Sequence, residues 1–306
     1  MALDVVSTCS EQSLKAKEPI RGTAISDVDV WFLLEHNGRW EADIAETELP
    51  EGVGAFLDGL CARTPRSRKL LIRRDRPARN LTFFVVLTRP ERAVFRFQAS
   101  TYESLMALNI DAVVASGSAA AEPQGGTRAS ALYLVCTHGR RDACCARKGG
   151  TFYRALEGTS HDGELWQSSH QGGHRFAATM LYLPHGIHYG RLEPADAAQL
   201  VETHARGRIH DPAKYRGNST LSVPVQAAEA WLREALSEHR FGAVRHLADG
   251  ELDDERHFAE FRVAELVTHR LVLAERQGKD RRLVSCGADG PTPFAYYDVV
   301  RHEARG

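Results

Sequence analysis

No stretch of this 306-residue chain approaches the roughly 20 consecutive apolar residues of a membrane-spanning helix. The segment Met1 to Cys9 has neither a basic start nor a long apolar run. That argues against a secretory leader and makes the cytoplasm the expected compartment. Charge of one sign is also missing: 39 Lys and Arg stand against 40 Asp and Glu. No bulk field therefore recommends nucleic acid or an anionic membrane as partner. There is no glycine fingerprint for a dinucleotide and no P-loop, so neither a built-in reductase nor an ATPase is expected. No carboxylate pair stands out for glycoside cleavage, and the Cys-x-x-Cys of thiol exchange is absent. No repeat is visible in the sequence, which leaves open an N-terminal half that mirrors the middle in structure alone. Six cysteines are too sparse for a disulfide framework, and in a reducing compartment clustered cysteines point to metal or redox chemistry.

What is present divides the chain by composition. Ala115 to Gly126 is built mostly of small residues and reads as a flexible linker. It separates an N-terminal α/β domain of unassigned role (1–125) from a middle domain (126–240), which a strand-rich extension (241–306) follows. In the first part Val28 to Glu35, Lys69 to Arg73, Leu81 to Leu87 and Ala93 to Phe97 read as strands, and Val53 to Cys61 as a helix. In the middle part Ala131 to Val135 reads as a buried strand, the chain from about Asp142 to Leu156 as a helix, and Gly163 to Ser168 as a second strand. His174 to Leu183 has helical spacing, with Phe176, Met180 and Leu183 on one face and Pro184 as its stop. Ile187 to Leu192 reads as a strand, and Pro194 to Arg206 and Val223 to Glu238 as helices. Phe258 to Val263, Leu266 to Ala274 and Tyr296 to Val300 are strand-like. Strands and helices alternating in this way predict an α/β fold, a sheet with helices on its faces.

The chemistry is concentrated in Cys136-Thr-His-Gly-Arg-Arg141-Asp142-Ala-Cys144-Cys145 and His170-Gln-Gly172-Gly173-His174. Both groups fall just beyond predicted strands or in helix-entry loops, where α/β folds place their sites. Thiolate and imidazole suit zinc, copper or iron–sulfur clusters, not magnesium or calcium. Two cysteines and two histidines satisfy structural zinc by number, but paired zinc cysteines usually lie two to four residues apart, and the gap here is longer. A loop of that length suits a larger object. A [2Fe–2S] cluster with two cysteines on one iron and two histidines on the other is such an object. Gly172 and Gly173 would let backbone amides approach its sulfides, and Arg141 could add a donor or a compensating charge.

These two segments resemble the sucrase/ferredoxin-like family, whose members include thioredoxin-like ferredoxins. Cys9-Ser, Gly22-Thr-Ala, Arg216-Gly217 and Gln226-Ala-Ala-Glu229 resemble it too, so the likeness covers most of the chain. The resemblance implies a thioredoxin-like domain carrying a [2Fe–2S] cluster, with Cys136, Cys145, His170 and His174 as ligands. Cys144 is the alternative to Cys145. His138, between the cysteines, is either a supporting group or a turn residue before Gly139. Cys9, Cys61 and Cys286 stand isolated and read as structural thiols. The basic run Arg63 to Arg79 reads first as a solvated strand and loop, and secondarily as a docking face for an acidic partner.

The expected function is one-electron transfer to a redox partner protein or small molecule, in a carrier more than in a catalyst. Neutral imidazoles in place of two thiolates should raise the potential above the roughly −400 mV of plant-type ferredoxins. Reduction should draw protons to the outer ring nitrogens of the ligating histidines. The other readings are a thiol oxidoreductase on a thioredoxin-like scaffold and a structural zinc module.

Overall fold

Short, fully apolar runs become central strands here because both of their faces are covered. In the computed structural model, which describes residues 7–76, 79–89, 91–159, 163–252, 255–264 and 267–306, β1 (Val30–Glu35) is buried at every position. Its even-numbered residues Val30, Phe32 and Leu34 enter one core, and Trp31 and Leu33 enter another on the opposite face. This is the period-two alternation of a strand.

The other strands of the main sheet are β2 (Ser67–Arg73), β3 (Leu81–Leu87), β4 (Ala93–Ala99), β5 (Thr127–Ala129), β6 (Leu132–Cys136), β7 (Glu164–Ser168), β8 (Met180–Leu183), β9 (Ile187–Tyr189) and β10 (Tyr215–Asn218). Helices are α1 (Cys9–Lys15), α2 (Val53–Arg63), α3 (Tyr102–Met106), α4 (Ile110–Ser116), α5 (Ser118–Ala121), α6 (Gly150–Glu157), α7 (Asp196–Ala205) and α8 (Val223–Leu236). The sheet order is β10-β9-β8-β6-β7-β2-β1-β3-β4-β5.

One pattern occurs in it twice. β1 runs parallel to β2 across α2 and antiparallel to β3, which pairs antiparallel with β4. β6 runs parallel to β7 across α6 and antiparallel to β8, which pairs antiparallel with β9. Each half is a strand–helix–strand unit followed by a hairpin, the thioredoxin-like order, and the N-terminal half mirrors the middle one. The halves join where β2 and β7 pair antiparallel at Ile72 with Ser168 and Arg73 with Gln167. Phe84 on β3 meets Trp166 on β7 with ring centroids 5.6 Å apart, although the two strands are three places apart in the sheet. Flat strands at about 4.8 Å spacing could not bring those rings together. The sheet therefore curls, and the shared core of Trp31, Leu33, Phe84, Leu132, Leu134 and Trp166 fills its inner face.

A second, antiparallel sheet of β11 (Val244–Glu251), β12 (His257–Val263), β13 (Val267–Gln277) and β14 (Ala295–Arg305) packs its apolar face on α8. The predicted run from Leu266 begins outside the described residues. The loop between β13 and β14 returns to the middle of the molecule. There the Arg282 guanidinium donates to both oxygens of buried Glu18 at 2.9 and 3.0 Å, and Arg175 donates to the same carboxylate at 2.8 Å. Burial pushes the Glu18 carboxyl up, but the two guanidinium groups outweigh it and hold it below its usual range.

Two expectations fail. Ala115 to Gly126 is not a flexible linker: α4, α5 and a short turn occupy it, and Ala121 is buried in the N-terminal core. Small residues there allow close packing. His174 to Leu183 is not a helix. A single 3-10 turn covers His174–Phe176, and Met180–Leu183 is a strand paired on both sides. A four-residue apolar run has no period long enough to tell helix from strand, and sheet partners decide it.

Candidate metal centre

Cys136 closes β6 with its side chain buried. The following loop turns into a helix whose first part is a π turn, Cys145–Gly149, continuing directly into α6. Such turns inside helices recur at functional sites. Gly149 makes this one possible, since a Cβ there would lie 2.0 Å from the Cys136 carbonyl oxygen. The close approach brings the Cys145 thiol beside that of Cys136, both buried. The histidine comes from the loop after β7. His170 Nδ1 is 3.9 Å from each sulfur, and the three donor atoms lie within 4.8 Å of one another.

The two thiols polarise each other. Hydrogen bonding from Cys145, reinforced by His170, holds Cys136 well below the usual thiol range despite its burial. The same bond and burial push Cys145 up. The pair is thus biased toward a thiolate at Cys136 and a thiol at Cys145, whose proton a binding metal would displace to solvent.

His174 lies behind His170, ring against ring at 4.9 Å. Its Nε2 donates to the Val284 carbonyl at 2.5 Å, while Nδ1 is buried without a hydrogen-bond partner. Burial keeps this imidazole neutral. An orphaned neutral nitrogen next to the Cys136–Cys145–His170 group is a donor in waiting.

His138 supports the centre and does not join it. Its Nδ1 accepts from the His170 amide at 3.2 Å, so its Nε2 carries the proton and donates to the Glu41 carbonyl at 2.8 Å. Gly172 and Gly173 both have left-handed backbone, φ +74° and +70°. Arg141 is exposed. The buried cation at the centre is Arg216, which donates to the Gly172 carbonyl at 3.1 Å and to Thr23. Its guanidinium lies where a Gly173 side chain would be, 2.3 Å from an added Cβ. Gly173→Ala therefore combines a left-handed alanine with a displaced buried charge. It is expected to cost about 3 kcal/mol, read as a lowered midpoint in chemical denaturation.

Cys144 faces away from this group into a second one. Its sulfur is 3.6 Å from that of Cys9 and 3.4 Å from that of Cys286, and those two are 3.6 Å apart. Asp142 sits 3.7 and 3.8 Å from the Cys9 sulfur, accepting from the Cys144 amide at 2.8 Å and the Cys286 amide at 2.7 Å. A hydrogen bond from Cys9 lowers the Cys144 thiol to about 5, and the same bond with burial drives Cys9 up. Cys9 and Cys286 are thus not isolated thiols. They are 135 and 142 residues from Cys144, so no sequence spacing announces the cluster. Cys61 stays apart, half-buried in α2 near Ser67. The basic run has its strand portion in the middle of the sheet as β2, and Arg66 is tied to Asp27 and Asp29. Pro77 and Ala78 within it lie outside the described residues.

No helix among the described residues is long and apolar enough to cross a membrane. A cleft of about 680 Å³ opens beside Cys144, lined in part by Arg147, Lys148, Arg175 and Arg191.

A family model described as Sucrase/ferredoxin-like matches residues 22–217. Two curated relatives are named "Altered inheritance of mitochondria protein 32". That of Meyerozyma guilliermondii is 33% identical over 95 residues, 28% of this chain and 34% of the relative. That of Debaryomyces hansenii is 32% identical over 95 residues, 28% of this chain and 35% of the relative. The match spans about a third of those relatives' length. Among solved structures, a thioredoxin-like [2Fe–2S] ferredoxin from Aquifex aeolicus is similar at 16% identity and a TM-score of 0.26, over 29% of this chain and 93% of its own. A cysteine-to-serine variant of that ferredoxin is similar at 16% identity and a TM-score of 0.25, over 28% of this chain and 97% of its own.

Proposed function

The chain belongs to the sucrase/ferredoxin-like family, and from that premise we propose that it is a one-electron carrier holding a [2Fe–2S] cluster on Cys136, Cys145, His170 and His174. The observation that carries this reading is the unpartnered His174 Nδ1 beside a three-donor group. Two thiols from one loop and two imidazoles from another make the two-and-two donor set such a cluster takes. When bound, it supplies a one-electron redox couple.

The chain's own residues do the rest. Cys136 is already biased to the thiolate, and Cys145 has one proton to release on loading. His138 fixes the His170 backbone, Val284 fixes the outer nitrogen of His174, and Arg216 braces the Gly172–Gly173 turn. Arg216, and not Arg141, is the compensating charge in this reading. Residues 126–240 are the cluster-bearing unit. The segments on either side contribute Glu41, Thr23 and Val284 as supports. The basic cleft beside Cys144 would receive an acidic redox partner or an anionic small molecule.

One distance favours a second reading. Donors 3.9 Å apart sit as ligands of a single ion do, so a mononuclear zinc at Cys136, Cys145 and His170 is the competitor. Iron and acid-labile sulfide analysis of protein purified without oxygen separates them. The expected result is two irons and two sulfides per centre, visible absorbance, and an EPR signal on reduction. A colourless protein with zinc at this centre would sink the cluster.

A further inference from the structure

We propose that Cys9, Cys144 and Cys286, with Asp142 as fourth ligand, form a separate structural zinc site that pins α1 and the β13–β14 loop to the loop carrying Cys145. The three sulfurs make a nearly equilateral triangle with sides of 3.4, 3.6 and 3.6 Å. Zinc–sulfur bonds of about 2.3 Å in a tetrahedron put sulfurs about 3.8 Å apart, so a small outward movement of each thiol seats the ion. All four donor atoms already lie within 4.8 Å of one another.

The surroundings call for a cation. Cys9, Cys144 and Asp142 are buried, and Ala177 and Leu283 pack around them. Among the described residues Asp142 forms no ion pair with Lys or Arg, and Arg175 and Arg282 pair with Glu18 instead. Despite burial, the two backbone amides hold the Asp142 carboxyl below its usual range, so an anionic oxygen donor stands among three thiols, a set that a cation would complete. Asp142 is also oriented as a ligand. Each of its oxygens accepts one backbone amide, from Cys144 or Cys286, and turns its other side to the Cys9 thiol, the direction in which an ion held by that sulfur would lie. Three thiolates select a soft or borderline ion, and a fourth, carboxylate donor completes the tetrahedron zinc prefers.

Cys9 and Cys286 lie outside residues 22–217, the part that the family model matches. On binding, the thiols still protonated release their protons to solvent, and no electron moves. The site is independent of what occupies Cys136, Cys145, His170 and His174.

The test uses the full chain purified from zinc-supplemented medium. Elemental analysis is expected to give one zinc per chain, and zinc-edge X-ray absorption to show three sulfur neighbours and one light one. Cys286→Ser is expected to lose the zinc at least about tenfold in affinity while leaving the other centre's metal content unchanged, and Cys286→Asp to regain part of it. Zinc-edge absorption needs no variant to fold. A zinc shell of two sulfurs and two nitrogens would place the ion at the other centre and overturn the proposal. So would the absence of zinc, or peptide mapping that finds a disulfide between any two of the three cysteines in protein handled without oxygen.

Discussion

Cys145→Ser and Cys144→Ser are expected to give opposite metal contents, although the residues are chain neighbours. Cys145 shares its group with Cys136 and His170, whereas the Cys144 sulfur lies among Cys9, Cys286 and Asp142. The π turn that starts at Cys145 sends the two side chains to different sides of the loop. Replacing a thiolate ligand should weaken iron retention beyond the roughly 10–100-fold that even supporting residues cost. Cys145→Ser should therefore be colourless with iron reduced at least about tenfold, while Cys144→Ser keeps iron, sulfide and visible spectrum and loses zinc. Iron, sulfide and zinc measured on both proteins decide it. Loss of iron from both variants in equal degree, with both still folded by circular dichroism, would mean the two groups form one site. Loss of iron from Cys144→Ser alone would reverse the assignment of the two cysteines.

How far the sequence carried this depended on chain distance. The Cys136-to-Cys145 and His170-to-His174 groups were legible because each is local and follows a predicted strand that ends in a loop. Cys145 was named for that group through family likeness, whereas the π turn that parts it from Cys144 is not announced by sequence patterns. Cys9 and Cys286 looked isolated because a contact 277 residues apart leaves no local trace. Arg216 was visible only through family likeness, and its place against Gly173 needed coordinates. Arg141 was plausible by proximity in sequence but faces solvent. The doubled strand pattern was hidden for a related reason: the two halves share topology and burial but no residues that align by eye.

His170→Cys combined with His174→Cys should move the midpoint potential most. Two anionic thiolates in place of two neutral imidazoles add about two negative charges to the ligand set, which disfavours gaining an electron. The potential should fall toward that of plant-type ferredoxins, a drop on the order of 200 mV. The pH response should change with it. In the unaltered protein, reduction makes the site more negative and favours keeping protons on the outer ring nitrogens, one of which is His174 Nε2 against the Val284 carbonyl. Where rising pH has removed that proton from the oxidised site, the electron brings it back, so reduction becomes harder as pH rises and the potential falls, by up to about 59 mV per pH unit for one proton per electron. Thiolate ligands have no such proton, so the double variant should be nearly flat between about pH 6 and 10. Redox titrations of both proteins across that range test the ligands and the coupling together. A variant that loses iron altogether would show that the chain cannot place four thiolates around the cluster, and would count against His170 and His174 occupying ligand positions that cysteine can fill. An unchanged potential and slope would show that neither histidine binds the cluster. A lowered potential with the slope intact would keep them as ligands and move the proton elsewhere, with His138, hydrogen-bonded to the His170 amide, as the next residue to replace.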